Sequence, residues 1–293
     1  MSLWVVGSLH LDVIVEAPRL PRLDETLAGQ AVSYRFGGKG GNQAVAAARM
    51  GARVAMTGAV GSDAFAEPLL AGLDAAGVDR ARVARLPGAS GMSVAILDPR
   101  GDYGAVIVSA ANLSVTGEGP PPPGATHLLL QNEIPEAANL AAARAARAAG
   151  LRVVLNAAPA RPVAAELLAL ADLLVVNRLE AAQLTGLPED AHEAAALALL
   201  ERGPRHVVVT LGAEGLHCRC RSDEAVTLAA PQVAVVSTHG AGDAFTGALA
   251  ARLDAGASMP EALAFAQGAA ALHVSTPPDR RAAITPREVA ALI

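Results

Sequence analysis

Residues 127–155, HLLLQNEIPEAANLAAARAARAAGLRVVL, hold a full strand–helix–strand unit. The run 127–130 is short, apolar and leucine-rich, which fits a strand buried in a parallel sheet. Residues 135–149 repeat apolar positions at helical spacing and stop at Gly150, a C-terminal glycine signal. Residues 152–155 start the next strand. The same rhythm extends in both directions. Residues 4–6, 53–56, 173–176 and 206–209 read as strands, while 42–50, closed by Gly51, and 243–253, closed before Gly256, read as helices. Repeated strand–helix units predict an α/β fold with a mainly parallel sheet, and residues 1–293 read as one domain.

Two regions depart from the rhythm. Residues 12–36 and 90–108 alternate apolar and polar positions, with Pro18, Pro21 and the turn PRGD at 99–102 between them. They predict antiparallel strands forming a small lid. The run GPPPPG at 119–124 reads as a stiff surface connection, and no internal repeat is present.

Composition narrows the classes of function. Of 293 residues, 52% are hydrophobic and only 2% aromatic, so Ala, Leu and Val must fill the core. A formal charge of −5 supplies no basic footprint for nucleic acid, so an anionic ligand must be held by a local set of donors. No stretch reaches the ~18 apolar residues of a membrane span, and the start MSLWVVGS lacks a basic region followed by a long apolar run. A soluble, cytoplasmic protein without a membrane partner is the expectation. Cys218 and Cys220 are too close for an ordinary disulfide and lack partners for structural zinc, so they read as inert thiols in a strand.

In open α/β sheets ligands bind beyond the carboxyl ends of the strands. Here those positions are polar: Gln131, Asn132 and Glu133 follow one strand, Asn156 the next, Asn177 and Glu180 another, and Thr210, Gly212 and Gly215 a fourth. Such residues also end strands and cap helices, yet four polar ends in succession point to a polar cleft.

Two glycine-rich stretches sharpen this. FGGKGGNQ at 36–43 enters the helix 42–50, so the backbone can approach a ligand closely while Lys39 holds an oxygen and Asn42 bonds hydroxyls. It is neither a Walker A loop nor a persuasive dinucleotide fingerprint, which argues against an oxidoreductase. The second, THGAGDAF at 238–245, joins an apparent strand at 233–236 to a helix whose buried face carries Phe245, Ala248, Leu249 and Leu253. Free amides at Gly240, Ala241 and Gly242, with the positive helix end, form an anion site. Beside them Asp243 suits a reaction in which a phosphoryl group is stabilised while a carboxylate accepts a hydroxyl proton.

The motifs GGKGGNQAVAAARMGARV, GAVGSDAF, LLLQNEIP, LNAAPAR, VNRLEA, TLGAEG and THGAGDAFTGAL stand in the order and approximate spacing of the ribokinase-like, or PfkB-type, carbohydrate kinases. The resemblance covers residues 7–275. It implies a three-layer α/β sandwich with a β lid, through which homodimers commonly form. It implies Asp243 as general base and the amides of Gly240, Ala241 and Gly242 as anion hole. Asp12, Gly38, Lys39, Asn42 and Glu133 match sugar-binding positions. Asn177 and Glu180 match the motif that organises magnesium (Mg2+) and phosphate, while Thr210, Gly212 and Gly215 match the nucleotide loop and Gln267 lies by the adenine. The reaction implied is transfer of the γ-phosphoryl of ATP to a primary hydroxyl of a small sugar, O5 of ribose first, with a nucleoside, a ketohexose or another pentose as alternatives. One Trp, two Tyr and four Phe offer little surface for a nucleobase, which favours a free sugar. A non-catalytic sugar-binding relative would be expected to have lost the acid or the glycines.

Three departures accompany the match. His10 in GSLHLD stands where the family carries Asn, which puts one sugar contact in question. Ser237 stands where it usually has an Asp tied to a monovalent cation (K+), and the tail STPPDRRAAITP at 275–286 lacks the glycine-containing loop that would complete that cation site. Both of these last departures weigh against potassium activation.

Overall fold

Strand residues of this chain are apolar on both sides, and the fold explains why. The computed structural model describes residues 2–100, 103–222 and 224–293. In chain order, β1 (Ser2–Val6), β2 (His10–Glu16) and β3 (Ala31–Gly37) lead into α1 (Lys39–Arg49). Next come β4 (Val54–Val60), α2 (Ala66–Ala75), β5 (Asp79–Arg85), β6 (Gly91–Leu97) and β7 (Tyr103–Val108). The central part holds β8 (Ala125–Gln131), α3 (Glu136–Ala148), β9 (Arg152–Asn156), α4 (Ala165–Leu170) and β10 (Leu173–Asn177). It continues through α5 (Arg178–Thr185), α6 (His192–Leu200) and β11 (His206–Thr210). The rest is β12 (Leu216–Cys220), β13 (Ala225–Leu228), α7 (Ala241–Asp254), α8 (Met259–Ser275) and α9 (Pro286–Leu292).

Nine strands form the main sheet in the order β13-β12-β11-β10-β9-β8-β1-β4-β5. Pairing is parallel from β5 to β11 and antiparallel only at β11–β12 and β12–β13. The central strands feed both faces. Leu3, Val5, Leu129, Val154, Val175 and Val208 pack with Val45 of α1, Leu69 of α2, Leu249 of α7 and Leu263 of α8. Their neighbours Trp4, Leu128, Leu130, Val153, Leu155, Val176 and Val209 pack with Ala142 of α3, Leu167 of α4, Ala181 of α5 and Leu199 of α6. The result is the expected three-layer sandwich, whose sheet is covered on both sides. Cys218 and Cys220 are free thiols buried in β12, and burial pushes both thiols up, out of reactive range.

A second sheet, ordered β3-β2-β6-β7, is the lid. It is not wholly antiparallel: β2 and β3 are, and so are β6 and β7, but β2 runs parallel to β6. The reason is topological, because β2 follows β1 and β6 follows β5, and β1, β4 and β5 run the same way in the main sheet. Of the turn at 99–102, Gly101 and Asp102 lie outside the described residues.

The structure departs from the sequence pattern at two further places. Residues 233–236 are not a strand: Pro231 precedes them, they find no ladder partner, and the N–H groups of Val236 and Ser237 both donate to Val274 O at the end of α8. A β-branched run without a neighbouring strand has nothing to pair with, and Val235 and Val236 stay exposed. The helix after the first glycine stretch begins at Lys39, not Asn42, so Gly40 and Gly41 lie in its first turn. A Cβ on Gly40 would stand 2.5 Å from Ser8 N, so these glycines let α1 seat against the β1–β2 connection.

Candidate active site

The starts of α1 and α7 face one another, and the two are finished differently. At α1 the first four N–H groups are all taken. Lys39 N–H donates to Glu133 Oε2 (2.8 Å), Gly40 N–H to Ser8 Oγ (3.4 Å), Gly41 N–H to Ser8 O (2.9 Å) and Asn42 N–H to Gly38 O (2.8 Å). At α7, Ala241 N–H donates to Thr238 O, while the N–H groups of Gly240, Gly242 and Asp243 meet no acceptor among the described residues. The first glycine stretch is therefore closed by protein groups, and the second is the open anion site.

Asp243 is buried beside it. Gln43 Nε2 donates to Asp243 Oδ1 (2.9 Å) and also to Asn156 Oδ1 (2.9 Å), while Asn42 Nδ2 donates to Asp243 Oδ2 (3.3 Å). Burial raises the Asp243 carboxyl above the usual carboxylate range, and the Lys39 charge and the Gln43 and Asn42 bonds pull the other way. Lys39 shows the reciprocal effect. Burial works against its ammonium, yet Asp243, Glu133 and Glu180 outweigh burial and hold it above the ordinary lysine range.

Two cavities meet at this helix start. One, of about 380 Å³, has Asp12, Asn42, Gly240 and Asp243 in its wall. The other, of about 300 Å³, is lined by Thr210, Gly212, Gly215, Ala241, Gly242 and Gln267. The turn that starts α7 thus presents Gly240 and Asp243 to one space and Ala241 and Gly242 to the other. Both loop glycines serve the second cavity by shape: Gly212 has φ +61° and Gly215 φ +109°, and a Cβ on Gly215 would lie 1.9 Å from Leu228 O. Gln267 closes its far wall, with Nε2 3.5 Å from Leu228 O.

Of the remaining sites read from the sequence, Asp12 lines the first cavity, while Glu133, His10 and Gly38 do not. Glu133 Oε2 accepts from Ser8 Oγ (2.5 Å) and stands 3.7 Å from His10 Nδ1. His10 is 2% exposed and its Nε2 has no partner, a buried polar atom that a ligand hydroxyl would satisfy. Asp12, on lid strand β2, accepts from Ser93 Oγ (2.5 Å) and lies 3.7 Å from His239 Nε2. Gly38 has φ +84° and a Cβ there would meet His10 N at 2.7 Å, so only glycine turns the chain into α1 at this point.

Asn177 and Glu180 form a reciprocal capping box at the start of α5: Asn177 N–H donates to Glu180 Oε2 and Glu180 N–H to Asn177 Oδ1, both at 2.8 Å. They line neither cavity. Burial raises the Glu180 carboxyl, while the Asn177 bond and Lys39 lower it and Asp243 adds to the rise. Among the described residues no cluster of three or more His, Cys, Asp or Glu could cage a metal. One capped carboxylate instead fits a magnesium ion carried mainly by phosphates and water.

A profile of the pfkB family carbohydrate kinases matches residues 2–285. The chain belongs to that family. Ribokinase of Haemophilus influenzae is 33% identical over 283 residues, covering 94% of this chain and 92% of its own. Deoxyribokinase of Salmonella typhi is 32% identical over 280 residues, with 91% of each chain covered. The structure of Arabidopsis thaliana ribokinase complexed with ribose and ATP superposes with a TM-score of 0.90 at 31% identity, over 99% of this chain and 98% of that one. The chain is an ATP-dependent sugar kinase of the pfkB family.

Sequence reasoning passed over several residues of this pfkB site. Gln43, itself anchored on the strand-end Asn156, holds Asp243 in place, and Ser8 ties Glu133 to α1. Gln43 stood within a quoted motif, but a buried glutamine on a helix shows its partner only in three dimensions. His239, His273 and Arg281 also gather at the 237–240 loop, from positions no local pattern connects.

Proposed function

We propose that this kinase transfers the γ-phosphoryl group of ATP to the O5 hydroxyl of ribose, with Asp243 as general base. The observation that carries the reading is the open turn of α7, where a buried carboxylate faces one cavity and the unpaired amides of Gly240 and Gly242 stand at the junction of the two. The sugar sits in the first cavity, where Asp12 and Asn42 take its hydroxyls, and the backbone of Gly38, the Lys39–Glu133 pair and His10 hold the structure around that wall. ATP occupies the second, on the loop of Thr210, Gly212 and Gly215, with Gln267 beside the adenine. Its γ-phosphate rests on the open amides of Gly240 and Gly242, since the Ala241 N–H is already spent on Thr238 O. Magnesium, which neutralises charge on the transferred group, would be steadied by Glu180 and Asn177. Asp243 takes the hydroxyl proton as the oxygen attacks, and the raised carboxyl makes it a better base than an exposed aspartate.

The lid supports a homodimer. Tyr34, Val13, Val94 and Val106 are register partners across all four strands and so share one face. Tyr34 and Val106 are 60% and 68% exposed, and Val32 adds to the same face. A continuous apolar sheet face of this kind calls for a cover, and a second copy supplies it. No described helix is long and apolar enough to cross a membrane, in keeping with action on a soluble sugar in the cytoplasm.

The test is ADP release from Mg-ATP over a panel of ribose, deoxyribose, fructose and several nucleosides. Turnover with ribose above all others supports the assignment. Preference for deoxyribose, a ketose or a nucleoside keeps the chemistry and moves His10 into the account of specificity.

A further inference from the structure

Beneath the loop that leads into α7, one side chain gathers three backbone oxygens. Arg281 donates Nη2–H to Ser237 O (3.0 Å), Nη1–H to His239 O (3.1 Å) and Nε–H to Thr276 O (3.1 Å). Each nitrogen of the guanidinium is thus bonded to a different carbonyl. His239 O has a second donor. Burial pushes His273 down to about 4, with Arg281, His239 and Arg49 also opposing its charge. His273 is therefore neutral near pH 7, and its Nε2–H donates to His239 O (2.9 Å). The next residue is Gly240, at φ +79°, and after it α7 begins.

Carbonyl oxygens turned to a common point are what an alkali cation takes in place of its water shell. Here that point is filled. The side chain of Ser237 offers a hydroxyl, not a carboxylate, and its Oγ is 3.4 Å from His239 N. The charged group acting on Arg281 is Arg35, which with burial lowers its guanidinium, so a second cation would enter a field already positive. The residues present do not fit a bound potassium ion.

We propose that the Arg281 guanidinium is a built-in cation that replaces a monovalent ion, holding the 237–240 loop and through it the open amides at the start of α7. Arg281 borders the first cavity but touches neither Asp243 nor the amides of Gly240 and Gly242, so it acts on the reaction as a positioning residue. The same segment that lacks a cation-site glycine loop supplies the arginine. This proposal rests on the phosphoryl-transfer reading for its kinetic arm but not for its binding arm.

The experiment has both arms. In the binding arm, the melting temperature of the wild-type chain is followed in potassium, sodium and tetramethylammonium chloride at equal ionic strength. No potassium-specific stabilisation is expected, because a protein without the site gains nothing by mass action. In the kinetic arm, wild-type ADP release should change less than about twofold with potassium, while Arg281→Ala should lose about 10-fold to 100-fold in kcat with little change in the KM for sugar. Millimolar methylguanidinium or potassium should recover part of that loss, and Arg281→Lys should fall between the two. A wild-type enzyme activated severalfold or specifically stabilised by potassium overturns the proposal. So does a folded Arg281→Ala with wild-type kcat. If that variant does not fold, Arg281→Lys and the wild-type potassium response decide, and if no sugar is turned over the melting series still does.

Discussion

Replacing Asp243 by Asn removes one oxygen's basicity and little volume, so it isolates proton transfer from packing. Asp243 Oδ1 accepts from Gln43 Nε2 and Oδ2 from Asn42 Nδ2, so whichever way the new amide is turned, its NH2 group meets a donor. The Asn42 bond is the longer, at 3.3 Å, and Asn42 is only half-buried, so that contact is the one that opens. An unsatisfied group there costs about 1–3 kcal/mol, offset by loss of a charge that burial already opposes. Stability near pH 7 should therefore change little. Its pH dependence should change more. Because burial raises the folded carboxyl, the native state holds the extra proton between the unfolded value of about 3.9 and the higher folded one, and stability falls as pH rises through that window. Asp243→Asn should flatten that fall. Catalysis suffers most, since a positioned base contributes roughly 10²–10⁴ in rate, or about 2.7–5.5 kcal/mol of barrier. The assay is steady-state ADP release with Mg-ATP and ribose, beside a melting curve and an ATP titration. A folded, ATP-binding Asp243→Asn with kcat within about tenfold of wild type would refute the role assigned to this carboxylate.

Other changes probe the surroundings. Gln43→Leu removes a bond that favours the Asp243 charge, so the acid limb of the kcat/KM profile should move to higher pH; an unmoved limb would separate Gln43 from the base. Gly38→Ala forces a Cβ to 2.7 Å from His10 N at φ +84°, so it should destabilise by about 1–3 kcal/mol or more in a denaturant titration. Gly215→Ala, with its Cβ 1.9 Å from Leu228 O, should raise the KM for ATP more than that for sugar. Val106→Glu places a charge in the apolar lid face and should give a monomer by light scattering with the melting temperature of the separate chain retained.

Much of this architecture could be read from the chain because burial on both faces leaves a simple mark. Runs such as 127–130 and 206–209 are apolar throughout, and the polar residues that follow them do gather at the carboxyl ends of the sheet. β5 escaped notice because Asp79–Arg85 is an edge strand with three arginines and looks like a loop. Residues 233–236 misled for the opposite reason, since β-branched side chains suggest a strand where no partner exists. Gly40 and Gly41 argued against a helix by propensity, yet tight seating of α1 on Ser8 overrides a local cost of about 1 kcal/mol per glycine. Asp243 was legible from its glycines, whereas Gln43, Asn156 and Arg281 act only across long separations in sequence.

That separation bears on how the protein comes into being. Gln43 and Asp243 are 200 residues apart, and the base is steadied by a helix made early in translation while it is itself made late. A chain emerged from the ribosome only as far as β11 already owns Asp12, Lys39, Asn42 and Glu133, but has no acid to activate a hydroxyl and no open amides to draw in a phosphate. Half-made enzyme therefore cannot squander nucleotide, and a prematurely terminated product also lacks Leu249 of α7 and Leu263 of α8 from the core on one face of the sheet.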